Sequence, residues 1–303
     1  MSKTIIITGA GGFVGYWVTK RLLQKYKVIA ITSPFSNSIR LDDIKEKLEV
    51  LKLDLSNTES VRNLFDKYKP WAVLHLATHG VYQYQQKDEK RIVIDNYKMA
   101  ANLLDSSIVS GVEKFINTGS VFEYGSKVGK VKEEDVDLTD ILNKYSAVKM
   151  ATTALANSYA GKIEVITLRP FTVYGPLEDN TRFVSSTIKR AKNNDPIRIV
   201  KGVVRDFVYI EDVAEAYQKA LETKFPSGQI LSIGSGKKHN LDETALLIKK
   251  LTNSDSEIVY DESYKRSKES ACWADISKAE EVLDWEPKHT ILQGIQKMLY
   301  FLE

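Results

Sequence analysis

One cysteine in 303 residues, Cys272, leaves no internal disulfide framework and fits a reducing compartment. Beside Trp273 it reads as a packing residue rather than a nucleophile. An excess of either charge is also lacking. The 43 basic and 40 acidic residues leave a net +3, a solvated surface with no footprint for nucleic acid or another polyanion. No apolar run is long enough to span a membrane. The apolar start of the chain carries glycines and passes into an amphipathic helix, unlike a signal sequence. Internal repeats, low-complexity runs and a metal-ligating cluster are absent from the pattern. A cytoplasmic globular protein with no membrane or nucleic-acid partner is expected.

What is present begins at the first residues. Lys3 to Thr8 is a short β-branched run that reads as a buried strand, and it stops at Gly9. Gly9, Gly11, Gly12 and Gly15 follow, and then a helical pattern through Tyr16, Val18 and Leu22. Strand, glycine turn and helix in this order suit a dinucleotide. The glycines let backbone N–H groups approach a pyrophosphate, and the helix N-terminus adds about half a positive charge. The spacing Gly9-x-x-Gly12-x-x-Gly15 differs from the commoner G-x-G-x-x-G, so position after a clean strand carries the assignment. Phe13 and Val14 complete the cradle.

Val28 to Ile31 is the second strand of a βαβ unit. An acid after it would hold the ribose hydroxyls of NAD, but here stand Thr32 and Ser33, with no acid until Asp42. Those hydroxyls and Arg40 would accommodate a 2′-phosphate, so NADP(H) is preferred and NAD is the alternative. Arg40 is otherwise a surface-loop residue. Leu48 to Leu53 is a third strand ending at Asp54-Leu55, where a carboxylate could meet the adenine edge. Ala72 to Leu76 is a fourth, followed by Ala77 and Thr78, small enough to pass over a cofactor. His75, inside that strand, reads as a satisfied core histidine. The polar aromatic stretch 81–90, with Tyr82, either lines a substrate pocket or is an exposed loop.

Helical spacing over Asn96 to Val109, a fifth strand at Lys114 to Asn117, a helix from Lys144 to Tyr159 and a sixth strand at Glu164 to Leu168 give an α/β alternation. It indicates a Rossmann-type, doubly wound parallel sheet. Residues 1–175 are expected to form the dinucleotide-binding domain. Residues 176–303 are expected to form mainly a smaller α+β substrate domain, with some segments returning to the first. Strands at Ile197 to Lys201, Arg205 to Ile210 and Ile230 to Gly234 and helices at Phe183 to Ala191, Leu241 to Leu251 and Ser277 to Leu283 are expected there.

Tyr145-Ser146-Ala147-Val148-Lys149 puts a phenol and an ammonium on one helix face, about 6 Å apart along the axis. The ammonium is expected to lower the tyrosine's pKa from about 10 toward neutrality. A Tyr–Lys pair at this spacing is common on surfaces. Ser120, just past the fifth strand, distinguishes this one, since its hydroxyl could bond a substrate oxygen.

At this point the chain resembles the extended short-chain dehydrogenases/reductases that act on nucleotide-diphosphate sugars. The resemblance runs through the glycine turn, Asp54-Leu55, HLAT at 75–78, Asn96, Ser120/Tyr145/Lys149 and LRPFTVYGP at 168–176. It continues through RDFVYIEDVAEAY at 205–217, IGSG at 233–236 and DISKAEEVLDWEP at 275–287. It implies that Tyr145 is the acid/base, Lys149 its tuner and ribose ligand, and Ser120 the partner of the substrate oxygen. It also implies cofactor contacts from Leu76, Ala77, Thr78, Asn96, Thr118, Pro170, Phe171 and Val173. Phe122 would line the substrate, and Arg205 and Arg266 would clamp its diphosphate, as guanidinium forks suit phosphate oxygens.

The family includes 4-epimerases, 4,6-dehydratases and 4-ketoreductases. Dehydratases place an Asp-Glu pair after the serine or threonine, where this chain has Val121 and Phe122. SVFEYG at 120–125 resembles the 4-ketoreductases, with Glu123 read as a structural acceptor. The expectation is therefore NADPH-dependent reduction of a nucleotide-linked 4-keto-6-deoxy sugar, the alternative being an NAD-dependent 4-epimerase. A homodimer pairing the helices near 97–110 and 145–160 is also expected.

Overall fold

The computed structural model describes residues 2–80, 88–260 and 271–302. The first half alternates β1 (Thr4–Thr8), α1 (Phe13–Leu22), β2 (Lys27–Thr32), β3 (Glu49–Lys52), α2 (Thr58–Tyr68), β4 (Ala72–His75), α3 (Asn96–Val109) and β5 (Lys114–Thr118). After β6 (Val128–Val131) come α4 (Lys144–Ser158) and β7 (Glu164–Pro170). These strands pair with one another in parallel, apart from β6, which pairs outside this sheet; Ile6 lies opposite Ile29 and Thr8 opposite His75. Both faces of the sheet are covered, which is why its strands are continuous apolar runs. Ile5 and Ile7 pack with Val18 and Leu22 of α1, whereas Ile6 packs on the other side with Leu64 of α2 and Leu103 of α3.

The second half adds β8 (Thr172–Tyr174), α5 (Phe183–Lys192), β9 (Ile197–Ile199), β10 (Val204–Arg205), β11 (Phe207–Tyr209), α6 (Ile210–Glu222) and β12 (Gln229–Ile233). It ends with β13 (His239–Asn240), α7 (Leu241–Leu251), β14 (Ile258–Tyr260), β15 (Ala271–Ala274), α8 (Ser277–Leu283) and α9 (Ile291–Phe301). The main sheet runs β12-β7-β5-β4-β1-β2-β3. The strand expected at Ile230 to Gly234 is thus its seventh strand, with Leu231 opposite Leu168. Helix α6 returns as well, since its Val213 and Tyr217 enter the same core as α1. The remaining strands form two-stranded pairs, β10 with β13 and β14 with β9 among them.

One expected strand, Arg205 to Ile210, is divided. Asp206 is buried between β10 and β11, and its carboxylate accepts N–H groups of Ser235 at 2.6 Å, Gly236 at 3.1 Å and Ala274 at 3.0 Å. The two parts pair with different partners, β10 with β13 and β11 with β8, and the helix begins at Ile210. Among the described residues, no helix is long and apolar enough to cross a membrane.

Candidate active site

The glycine turn leaves the carboxyl end of β1 and enters α1. Gly9 has φ +68°, and a Cβ there would stand 2.7 Å from the Ala77 nitrogen, so the turn passes directly against the segment after β4. A Cβ on Gly15 would collide with the Gly9 carbonyl. Thr8 supports this approach, its Oγ1 lying 2.9 Å from His75 Nδ1 and accepting the Ala77 N–H at 3.1 Å. Burial, helped by the Lys149 charge, depresses His75 to about 3, so it is neutral, as a core histidine should be. Gly12 caps α1 without any side-chain hydrogen bond, and the first turn of α1 has no acid. The start of α1 thus offers N–H groups with no side-chain acceptor, a geometry that could receive an anionic ligand.

The other cofactor residues divide by what their side chains already do. Arg40 stands at the turn, Nε donating to Leu177 O at 3.0 Å and Nη1 to Gly11 O at 3.4 Å. Thr32 is buried at the end of β2, and Ser33 Oγ accepts from Phe35 N at 3.3 Å. Asp54 Oδ1 accepts both the N–H and hydroxyl of Ser56, and Leu55 is a core residue. Asn96 clamps the strand-end segment, accepting from His79 N and donating to His79 O and Ile92 O, each at 2.8 Å. Leu76 and Val173 join the main core, and Phe171 packs with Tyr124 and Cys272, which is 3% exposed. Pro170 closes β7.

Ser38 is a residue that sequence reasoning missed. It holds φ +51°, and its buried Oγ has no partner. A Cβ on Gly11 would lie 3.3 Å from that oxygen. An orphaned hydroxyl beside the glycine turn, an uncapped helix start and glycines with no room for Cβ fit a dinucleotide's phosphates. No local pattern marks Ser38, because its loop must fold back onto Gly11 first. A cavity of about 640 Å³ opens nearby, between Arg40, Leu177, Lys189 of α5 and Phe301 of α9, and not at Tyr145.

Ser120, Tyr145 and Lys149 do converge. Asn143 caps α4 by accepting from Ser146 N at 2.9 Å, which holds Tyr145 in the first turn. Lys149, one turn on, has Nζ 5.8 Å from the Tyr145 ring centroid and donates to Thr118 O at 2.9 Å. Thr118 Oγ1 pairs with Tyr217 OH at 2.7 Å. Ser120 follows β5 and its Oγ accepts from Phe122 N at 3.2 Å. Phe122 meets the Tyr145 ring edge-on, centroids 5.8 Å apart.

The protonation states correct one expectation. Burial pushes Tyr145 up to about 12, and the adjacent Thr78 and Ser120 hydroxyls only partly offset this. Lys149 is not among the main influences on the phenol. Burial instead lowers Lys149 itself to about 8, with Glu123 opposing. Desolvation of both partners outweighs the attraction that sequence spacing suggests. Glu123 lies behind Ser120, accepting its N–H at 2.7 Å and pairing with Arg169 at 3.0 Å. Arg169 is a second residue not foreseen, since nothing in the sequence joins positions 46 apart.

Arg205 lies on β10, with Nη1 donating to Val204 O at 2.9 Å. Tyr82 and Arg266 lie outside the described residues. Among the described residues, no group of three or more His, Cys, Asp or Glu could hold a metal ion.

Comparison with known proteins agrees with this geometry. The model of the NAD-dependent epimerase/dehydratase family matches residues 5–234. A UDP-glucuronate 4-epimerase of Thermodesulfobacterium geofontis is 26% identical over 96% of this chain and 94% of its own. A CDP-abequose synthase of Salmonella muenchen is 27% identical over 100% and 99%. The solved UDP-glucuronic acid 4-epimerase of Bacillus cereus, in complex with UDP-glucuronic acid and NAD, superposes with a TM-score of 0.87 at 26% identity, covering 99% of this chain and 98% of the other. With the family model covering most of the chain and the fold matched end to end, the protein belongs to the NAD-dependent epimerase/dehydratase family.

Proposed function

We propose that the protein acts at C4 of a nucleoside-diphosphate sugar, as an NAD-dependent 4-epimerase. The observation that carries the reading is the convergence of Ser120, Tyr145 and Lys149 in one buried group beside the cradle. The similarity to two UDP-sugar 4-epimerases, one solved with NAD, supports the choice of reaction. Gly9, Gly12, Gly15, Ser38 and the start of α1 would hold the diphosphate of the cofactor, and Lys149 a ribose hydroxyl. The chemistry a bound nicotinamide dinucleotide supplies is reversible hydride transfer. Tyr145 exchanges its phenolic proton with the sugar oxygen, and Ser120 Oγ shares that oxygen. Proton transfer of this kind contributes roughly 10²–10⁴-fold. Val121 and Phe122 supply neither the acid nor the base that elimination of water needs.

A second reading, NADPH-dependent 4-ketoreduction, keeps specific support. Thr32 and Ser33 follow β2 where an acid would favour NAD, Arg40 reaches the glycine turn, and the CDP-abequose synthase is 27% identical. Product analysis separates the two. Conversion of UDP-glucose or UDP-glucuronate to the 4-epimer without added reductant supports the epimerase. Oxidation of NADPH only with a nucleotide 4-keto-6-deoxy sugar supports the reductase, and neither reaction with any nucleotide sugar refutes both. Exposed Val93 and Ile94 in the turn before α3, and exposed Tyr97 in its first turn, support a homodimer through α3 and α4. Sedimentation of a monomer would refute that assembly.

A further inference from the structure

The Glu123–Arg169 pair lies wholly inside the protein, its side chains 0% and 4% exposed. Glu123 Oε1 accepts the Ser120 N–H at 2.7 Å, and Oε2 meets Arg169 Nε at 3.0 Å. Arg169 Nη1 donates on to Glu133 O at 3.0 Å. The packing is close enough that a Cβ on Gly119 would collide with Glu123 Oε1 and lie 2.8 Å from Arg169 Cγ. Two residues back, on the other side of Gly119, the Thr118 carbonyl accepts Lys149 Nζ at 2.9 Å. A carboxylate and an ammonium thus hold the two polar ends of the segment that presents Ser120.

A glutamine would accept the Ser120 N–H equally well, so that hydrogen bond alone does not call for a buried charge. Such a charge is costly without its partner. The groups facing it are Arg169 of β7, Lys149 and Tyr145 of α4, and Tyr124 of its own turn, over whose ring Arg169 lies at 5.3 Å. Glu133 uses its carboxylate on Ser232 N. His75 of β4 is neutral, Tyr217 of α6 is bonded to Thr118, and the charge of Arg182 reaches Tyr145. Within this set the Glu123 carboxylate favours the protonated forms of both Lys149 and Tyr145.

We propose that Glu123 is a positioning residue whose carboxylate, opposite Lys149 across Thr118–Ser120, both orients Ser120 and keeps Lys149 in its charged form. Its effect on turnover rests on the acid–base role proposed for Tyr145. By favouring the protonated phenol, the carboxylate opposes the half-step in which Tyr145 gives up its proton to an oxyanion and aids the half-step in which it takes one.

The test follows the lysine Cε resonances of ¹³C-lysine-labelled protein across pH, with Lys149 assigned by its loss in Lys149→Met. Lys149 is expected to titrate near 8 in the native chain and about one unit lower in Glu123→Gln. The alkaline limb of turnover should move with it, with kcat changing more than KM. Glu123→Gln/Arg169→Gln removes both charges, leaves no unpaired arginine, and should shift Lys149 in the same direction by less. A lowered melting temperature with an unmoved Lys149 titration in whichever variant folds would overturn the inference. Because the titration needs no turnover, a shifted Lys149 in a protein inactive on every nucleotide sugar would uphold the inference while refuting the functional reading.

Discussion

Around Gly9–Gly15 the protein makes room by omitting side chains, whereas around Ser120 it fills the space with buried charge. In the first region the backbone is the proposed binding surface, and the glycines at 9 and 15 stand where a Cβ would meet the Ala77 nitrogen or the Gly9 carbonyl. In the second, a carboxylate, a guanidinium and an ammonium sit within one turn and its neighbouring strand and helix. The first should fail by collision, abruptly and at all pH values. The second should fail by altered protonation, gradually and with a pH dependence.

Substitution at the turn tests this contrast most severely. Gly15→Ala drives a methyl group into the Gly9 carbonyl and should abolish cofactor binding at every pH, measured as loss of the thermal shift produced by NAD or NADP. Retained binding would mean that the turn can relax and that sterics do not define it. Next in size, Ser120→Ala should lower kcat by about ten- to a hundredfold, within the range for lost proton-transfer assistance, with cofactor binding unchanged. Smaller still is the native pH profile. Lys149 is charged below about 8 and neutral above it, so turnover should fall as pH rises through that value. A flat profile from pH 7 to 9.5 would show that the ammonium is not needed. Smallest, Ser38→Ala removes one orphaned hydroxyl beside the turn and should weaken cofactor affinity several-fold, worth roughly 1 kcal/mol. Isothermal titration measures it, and unchanged affinity would leave Ser38 a loop residue.

The same contrast explains what was legible in the sequence. The cradle is local, seven residues whose glycine spacing and place after a strand are visible in one line of text, and helix α3 was readable from the spacing of Met99, Leu103 and Leu104. Tyr145 and Lys149 were also local, one helical turn apart. The charge balance around them was not, because Glu123 and Arg169 meet only when β5 and β7 pair, and because burial, which sets the direction for Tyr145, has no sequence signature. Ser38 depends likewise on a loop returning to Gly11. Helices α6 and α9 went unread although Val213, Ala216, Tyr217 and Ala220 carry helical spacing, since α6 follows a strand with no break residue between Tyr209 and Ile210. Strand β12 was read as a strand but expected in the outer portion, and pairing with β7 across more than 50 residues is what returns it to the sheet.

The central claim is that Tyr145 moves the proton at the sugar oxygen while the cradle holds its ligand independently. Single-turnover conversion by Tyr145→Phe, on the nucleotide sugar that the native protein converts, tests it most directly when bound cofactor is quantified in the same sample. The account predicts a loss of at least about 10²-fold with cofactor occupancy unchanged. Native-rate conversion by Tyr145→Phe would contradict it.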